Sequence, residues 1–315
     1  MSPRLSILLP TWNGARDLAR LLPALAAQSL WPECELLATD SSSTDDTAAL
    51  LRDAGAEVEV IPKSEFGHGR TRNALAARAR GERLVFLSQD VVPGGPEFLA
   101  ELVAPLELAR VAGAYARVLP HEDDDPLTVR TVLAAPEARA EAPRLEPVEA
   151  SELWRLPGAE RLERLRFNNV ASAVRADVFH ELEFPDVPFG EDFAWAARVA
   201  AAGWDVRFAP AAVAHHAHRY TPSEAFERYR LDAAFHREIH GHLLRPTWTS
   251  VLRGIVYELR EDWRFVGKRP GASRASLLRA PALRGAQVLG QLWGSRGWGP
   301  DFWPTEDKSE VGSGR

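Results

Sequence analysis

Between residues 5 and 90, short apolar runs alternate with segments of helical period, and that alternation leaves the chain few architectures. Residues 5–9 read as a strand closed by Pro10, after which Leu18, Leu21, Leu22 and Leu25 recur at the spacing of one helix face. Pro23 falls inside that pattern and predicts a kink or a later start. A second strand at 35–39 leads to a helix opened in N-cap style by Thr44-Asp45-Asp46. A third strand at 58–61 leads to a helix from Thr71 to Arg80, ended by Gly81. The fourth strand, Leu84-Val85-Phe86-Leu87, is apolar at every position, as a strand buried on both faces is. The pattern predicts an α/β fold, a mostly parallel sheet flanked by helices with right-handed crossovers. In such sheets ligands sit beyond the carboxyl ends of the strands. The fourth strand delivers Ser88-Gln89-Asp90 to that edge.

Beyond residue 90 the alternation lapses. Residues 120–165 mix acids, prolines and short apolar pieces without a period and predict a long excursion over the sheet edge. Order returns with Phe167-Asn168-Asn169, then a helix from Glu191 to Ala202 capped by Gly203, with Phe193, Ala196, Ala197 and Ala200 as its buried face. A strand follows at 205–208, and from Pro222 the chain is helical. Between Arg245 and Arg296 it is also basic, with 10 Lys/Arg against 3 Asp/Glu. Leu277, Leu278, Leu283, Val288, Leu289, Leu292 and Trp293, flanked by Arg274, Arg279 and Arg284, form a candidate stripe. It suits a helix lying on anionic lipid, an appendage packed on the first domain, or a dimer contact. This divides the chain into a domain at 1–240, a basic, tryptophan-containing helical extension at 241–306 and a disordered tail at 307–315.

The 315 residues carry a formal charge of −6, which argues against nucleic acid as a partner. Cys34 is the single cysteine, so no internal disulfide forms and a reducing compartment fits. No basic-then-apolar leader precedes the first strand and no apolar run is long enough to span a membrane. A cytoplasmic location is expected, with a peripheral place on the inner membrane face left open.

Four constellations can carry chemistry. Asp40, at the tip of the second strand, suits a ribose or base edge, or else a helix cap in a polar turn. The first strand–helix turn, Pro10-Thr11-Trp12-Asn13-Gly14, lacks G-x-G-x-x-G and so speaks against a dinucleotide dehydrogenase. Phe66-Gly67-His68-Gly69-Arg70-Thr71-Arg72-Asn73 suits a diphosphate cradle at a helix start, or a plain glycine turn with solvated arginines. Glu191-Asp192 opens a helix; the pair either complements the helix dipole or supplies one general base, since adjacent side chains point apart. His216 and His218 share one side of an extended segment and can ligate a metal in company with Asp90.

Taken in order, Pro10-Thr11-x-Asn13, Asp40, Asp90, Glu191-Asp192 and His216-x-His218 resemble the inverting family 2 glycosyltransferases of GT-A fold, over residues 4 to 240. Phe66-Gly67-His68-Gly69-x-Thr71-Arg72-Asn73, Ser88-Gln89-Asp90 and the run from His216 to Tyr220 look most like the bacterial rhamnosyltransferase branch. The resemblance implies a nucleotide-sugar site in which Pro10, Thr11 and Asn13 line the nucleotide pocket. Asp40 would meet the base or ribose, and Arg72 and Gln89 would lie near the donor. Asp90 would hold a divalent cation with His216 or His218, Asp192 would be the base, and Glu191, Phe66 and His68 would face the acceptor. Where the family carries D-x-D, this chain has Ser88 at the first place. One carboxylate suits Mg²⁺, which keeps several waters; Mn²⁺ and a metal-free site neutralised by Arg72 stay open. The implied activity is transfer of L-rhamnose from dTDP-rhamnose to a glycan or lipid-linked glycan in cell-surface polysaccharide synthesis. A catalytically silent nucleotide-sugar module is the alternative. The sequence leaves an oligomer open.

Overall fold

A computed structural model describes residues 3–143, 149–269 and 274–298. The expected tail at 307–315, and Trp303, lie outside them. The chain divides into two units. The first holds residues up to Leu119, Arg139–Arg155 and Glu163–His216; the second holds Pro120–Ala138, Leu156–Leu162 and the chain from Ala217 on.

The first unit is built on an eight-stranded sheet of order β3-β2-β1-β4-β7-β6-β8-β5. Its strands are β1 (Leu5–Thr11), β2 (Cys34–Asp40), β3 (Glu57–Val60), β4 (Arg83–Leu87), β5 (Val92–Pro93), β6 (Val111–Leu119), β7 (Ala171–Arg175) and β8 (Asp205–His215). β1 pairs in parallel with β2 and β4, β2 with β3, and β6 with β8. β7 runs antiparallel between β4 and β6, and β5 runs antiparallel to β8. Six strands therefore point one way and share one carboxyl edge, as the alternation predicts.

Helices cover both faces: α1 (Ala15–Ala26), α2 (Thr47–Asp53), α3 (His68–Arg78), α4 (Phe98–Val103), α6 (Ala150–Leu153), α8 (Ala176–Glu181) and α9 (Glu191–Ala201). α5 (Pro126–Ala134) belongs to the second unit, and α7 (Gly158–Arg164) straddles the division. Successive strand side chains point to opposite faces. Leu5, Ile7, Leu9, Val85 and Leu87 pack with Leu18, Leu21, Leu25, Phe98 and Leu102 in one layer. Leu8, Leu84 and Phe86 pack with Leu75, Phe179 and Trp195 in the other. Each layer removes several large side chains from water, at about 1.5–3 kcal/mol apiece.

The structure revises several local expectations. α1 runs from Ala15 straight through Pro23 rather than starting late. α2 begins at Thr47 with Asp46 at its N-cap position, but the side chain that accepts from the Thr47 backbone N–H, at 3.1 Å, is that of Asp45. α3 begins at His68 and ends at Arg78, so Gly67 and Gly69 sit at its first turn. The stretch expected to be irregular holds short helices α5 to α7. β6 and β7 went unforeseen. β8 reaches His215, its register with β6 shifting between Ala116 and Arg117. In α9 the buried side is Glu191, Ala194, Trp195, Ala196, Ala197 and Val199, while Phe193 and Ala200 are only half-buried.

The second unit is helical, with α10 (Pro222–His240), α11 (Trp248–Lys268) and α12 (Ala280–Arg296) after α5. Thr221 and Thr247 cap α10 and α11 through reciprocal side-chain bonds. Gly290 and Gly294 let α12 lie directly on α10: a Cβ at either would come within 2.3 Å of the Phe226 or Arg230 carbonyl oxygen. Asp262, fully buried, accepts from Arg284 through Nε and Nη2, both at 2.8 Å, and from Arg130, which also pairs with Glu258. The stripe left open between a lipid surface, a packed appendage and a dimer contact is partly internal to this unit, with Val288 and Leu292 buried, Leu283, Leu289 and Trp293 half-buried and Leu278 exposed. Val288 and Leu292 pack against Val251, and Arg284 is 2% exposed.

Candidate active site

The carboxyl edge of the sheet gathers polar residues from strands far apart in sequence. Thr11 and Asp40 end β1 and β2 in register with one another. Asp40 is buried, and its carboxylate accepts from Thr11 Oγ1 at 3.1 Å, Ser43 N at 2.8 Å and Ser43 Oγ at 2.5 Å. Asn13, in the left-handed region at φ 45°, accepts from Thr44 N and donates its own N–H to Ser43 Oγ. Asp40 and Asn13 thus fold the β1 and β2 tips into one polar wall. Pro10 is half-buried beside it and Trp12 projects outward, 45% exposed, with Lys63 Nζ 3.3 Å above its ring. Gln89 clamps the Trp12 backbone at both ends, accepting from its N–H at 2.8 Å and donating to its carbonyl at 3.1 Å.

Asp90 and His216 meet because of strand register. Val92 pairs with His215 across the antiparallel β5–β8 ladder, which sets residues before Val92 opposite residues after His215. Asp90 Oδ2 lies 3.3 Å from His216 Nε2, with His216 buried and Asp90 partly open to solvent. Two residues along the same backbone, His218 completes a group of three side chains able to hold a metal ion. One carboxylate oxygen and two imidazole nitrogens fit a divalent cation, and imidazole favours Mn²⁺ over the harder Mg²⁺.

The second carboxylate centre stands where β7 begins. Ser88 N donates to Val170 O at 2.9 Å, tying the end of β4 to the residue next to Asn169. Asn169 donates through its backbone N–H to Asp192 Oδ2 at 3.3 Å and through Nδ2 to Glu191 Oε1 at 3.2 Å. Its own Oδ1 accepts from Ser172 Oγ at 2.9 Å. Arg72 Nη1 reaches the same Glu191 oxygen at 3.1 Å, with both side chains buried. Glu191 is therefore turned into the protein, bonded to Nη1 of Arg72. Asp192, at the first turn of α9, is half-buried and also accepts from Phe193 N at 2.9 Å. Desolvation, helped by the adjacent Glu191 charge, pushes its pKa up to about 7; the two backbone N–H bonds and Arg72 oppose that shift.

The start of α3 is joined to the loop before α9. Asn73 donates to Phe184 O at 2.8 Å and accepts from Phe184 N at 3.2 Å. Gly69 lies so close that a Cβ there would stand 2.4 Å from Pro185 O. The glycine read as part of a diphosphate cradle thus serves a close backbone approach. Phe66, half-buried, and His68, exposed, stack edge to face at 5.1 Å on the outside of this corner.

Asn169, Ser43 and Trp12 join the candidate site residues without having been singled out from the sequence. The Asn168-Asn169 pair ahead of an Ala-rich strand was the one signal available for the first.

This fold is that of the GT-A glycosyltransferases. The chain superposes with a TM-score of 0.53 and 19% identity on a mannosyltransferase from Pyrobaculum calidifontis solved with GDP-Man and Mn²⁺, covering 94% of this chain and 74% of that one. Residues 6–170 match the family described as Glycosyl transferase family 2, and the chain belongs to that family. Two similar proteins are the O-antigen chain rhamnosyltransferases RfbN of Salmonella typhimurium and WbaN of Salmonella anatum. They are 30% and 32% identical, each over 74% of this chain and 72% of its own length. The protein is a glycosyltransferase.

Proposed function

We propose that the chain transfers an L-rhamnosyl unit from dTDP-rhamnose to a hydroxyl of a growing, lipid-linked surface glycan, with inversion at the anomeric carbon. The observation that carries the reading is Asp192: a half-buried carboxyl fixed by two backbone N–H groups on the edge that also bears Asp90 and His216, with burial raising its pKa. The similarity to two O-antigen chain rhamnosyltransferases supports the sugar and the class of acceptor.

In this reading the nucleotide lies along the β1–β2 wall of Pro10, Thr11, Asn13 and Asp40, with Trp12 and Gln89 beside it. A divalent cation held by Asp90, His216 and His218 would supply positive charge next to the diphosphate. The acceptor oxygen attacks the anomeric carbon from the face opposite the nucleotide. A new C–O bond forms, the bond from carbon to diphosphate oxygen breaks, and the nucleoside diphosphate departs with that electron pair. Asp192 takes the acceptor proton as the bond forms, a role worth about 10²- to 10⁴-fold. A base whose pKa lies near neutrality matches that task. Glu191 does not compete, because Arg72 and Asn169 occupy the oxygen it presents. Phe66 and His68 flank the acceptor side.

Calorimetry with a panel of dTDP-, UDP- and GDP-sugars, with Mn²⁺, with Mg²⁺ and with EDTA, tests donor and cation together. Binding of dTDP-rhamnose that needs a divalent ion and is lost in Asp90→Ala is the expected result. Preference for another sugar nucleotide would overturn the donor assignment, and binding indifferent to EDTA would overturn the cation.

A further inference from the structure

The longest helix of the second unit leaves one side bare. Along α11, Trp248, Leu252, Val256, Tyr257 and Trp263 are each more than half exposed. The opposite side is used up: Val251 packs with Val288 and Leu292, Val266 packs with Leu127 and Ala280, and Asp262 sits in its buried ion pairs. Trp248, Leu252 and Val256 recur every four residues and Trp263 follows Val256 by seven, which keeps these four on one stripe, with Tyr257 to its side. Single exposed apolar side chains need no explanation, whereas five along one helix make a surface that another phase or molecule covers.

The charges on that face are one-sided. Arg253, Arg260, Arg264 and Lys268 are all exposed among the apolar residues. The one acid beside them, Glu261, is neutralised by Arg264 at 2.5 Å. An open depression of about 450 Å³ lies on this face, lined by Leu252, Val256 and Tyr257 together with Arg253, Arg260 and Arg264. Tyrosine and tryptophan present an apolar body with a polar tip, and arginine carries a charge at the end of an apolar stem.

We infer that this face of α11 rests on an anionic lipid surface. The apolar and aromatic side chains enter the boundary between headgroups and acyl chains, and the cations meet lipid phosphates. A second copy of the chain is a poorer occupant, because a twofold contact would set this cationic face against itself. No helix among the described residues is long and apolar enough to cross a membrane, and the contact inferred here lies in the plane of the surface. The basic extension read from the sequence thus keeps its partner but changes its helix: α12 is packed inside, and α11 offers the face.

Co-sedimentation of the full chain with vesicles tests this without reference to transfer activity. Vesicles of mixed phosphatidylglycerol and phosphatidylcholine should bind it, pure phosphatidylcholine should not, and binding should fall as salt is raised. Each basic side chain near such a surface contributes about 5-fold, so Arg253→Glu with Arg260→Glu should lower partitioning by at least about 100-fold. Circular dichroism and the thermal midpoint should not change, since both side chains are exposed. Leu252→Ser with Trp263→Ser should weaken binding at every salt concentration. No binding to anionic vesicles, or equal binding to both kinds that survives the charge reversal, would overturn the inference. So would a dimer in solution that the charge reversal dissolves, because the face would then join two copies.

Discussion

At the scale of the residue, the proposed chemistry rests on how two neighbouring carboxylates are treated differently. Glu191 is bonded to Arg72 and Asn169, while Asp192 is left half-buried with backbone donors alone. Because Asp192 must be ionised to accept a proton, kcat/KM should rise with pH through a midpoint near 7. Glu191→Gln removes the negative charge that helps raise that pKa, so the midpoint should move to lower pH, read from a pH–rate profile. Stability runs the other way. Between its unfolded value of 3.8 and about 7 the folded protein holds a proton that the unfolded chain releases, so this group's contribution falls as pH rises through that window. Asn169→Ala should cost about 1–3 kcal/mol by leaving Glu191 short of a donor, measured by urea unfolding. It should also lower kcat on the order of 10²-fold by letting the helix start drift. The places of Asp40, Asp90, Asp192 and His216 in the fold were legible in the sequence, because each stands at a strand tip or helix start, where local pattern shows. Asn169 and the clamp of Gln89 on Trp12 were not, since both depend on contacts between segments dozens of residues apart.

At the scale of the element, the strands and helices of the first 90 residues follow from apolar period, with errors of a few residues at the ends. β6 and β7 escaped that reading for a physical reason. Val111–Leu119 and Ala171–Arg175 are rich in alanine and carry few β-branched side chains, so no run announces a strand. Their place is set by neighbours: a Cβ on Gly113 of β6 would come within 2.9 Å of Phe167 and Trp195. Small residues are what the aromatic layer above them requires. The corner between α3 and the loop before α9 obeys the same rule. Gly69→Ala should force the helix away from Pro185 and destabilise the protein by about 1–3 kcal/mol, seen as a lower denaturation midpoint. Transfer should suffer more than donor binding, because that loop leads into Glu191 and Asp192.

At the scale of the whole molecule, the proposed catalysis falls to the first unit and the inferred lipid contact to the second. The sheet of the first unit carries every strand-borne candidate for the reaction, and the helices of the second are joined internally by a charge network. Asp262 is shared by Arg130 and Arg284, so Asp262→Ala should leave the buried Arg284 without a carboxylate and Arg130 with Glu258 alone, and cost about 3–5 kcal/mol. Calorimetric unfolding would show it as an early loss of the helical unit. That network, like the packing of α12 on α10 through Gly290 and Gly294, could not be read from the sequence, where the leucines and arginines around α12 suited a lipid surface, a packed appendage or a dimer contact equally. The central claim remains that Asp192 is the base. Asp192→Asn, assayed side by side for dTDP-rhamnose binding and for single-turnover transfer, tests it most directly. The account predicts donor affinity close to that of the unmodified protein, transfer lower by about 10²-fold or more, and stability above pH 7 equal to or greater than before. Transfer at the normal rate in that variant would contradict it and remove Asp192 from the mechanism.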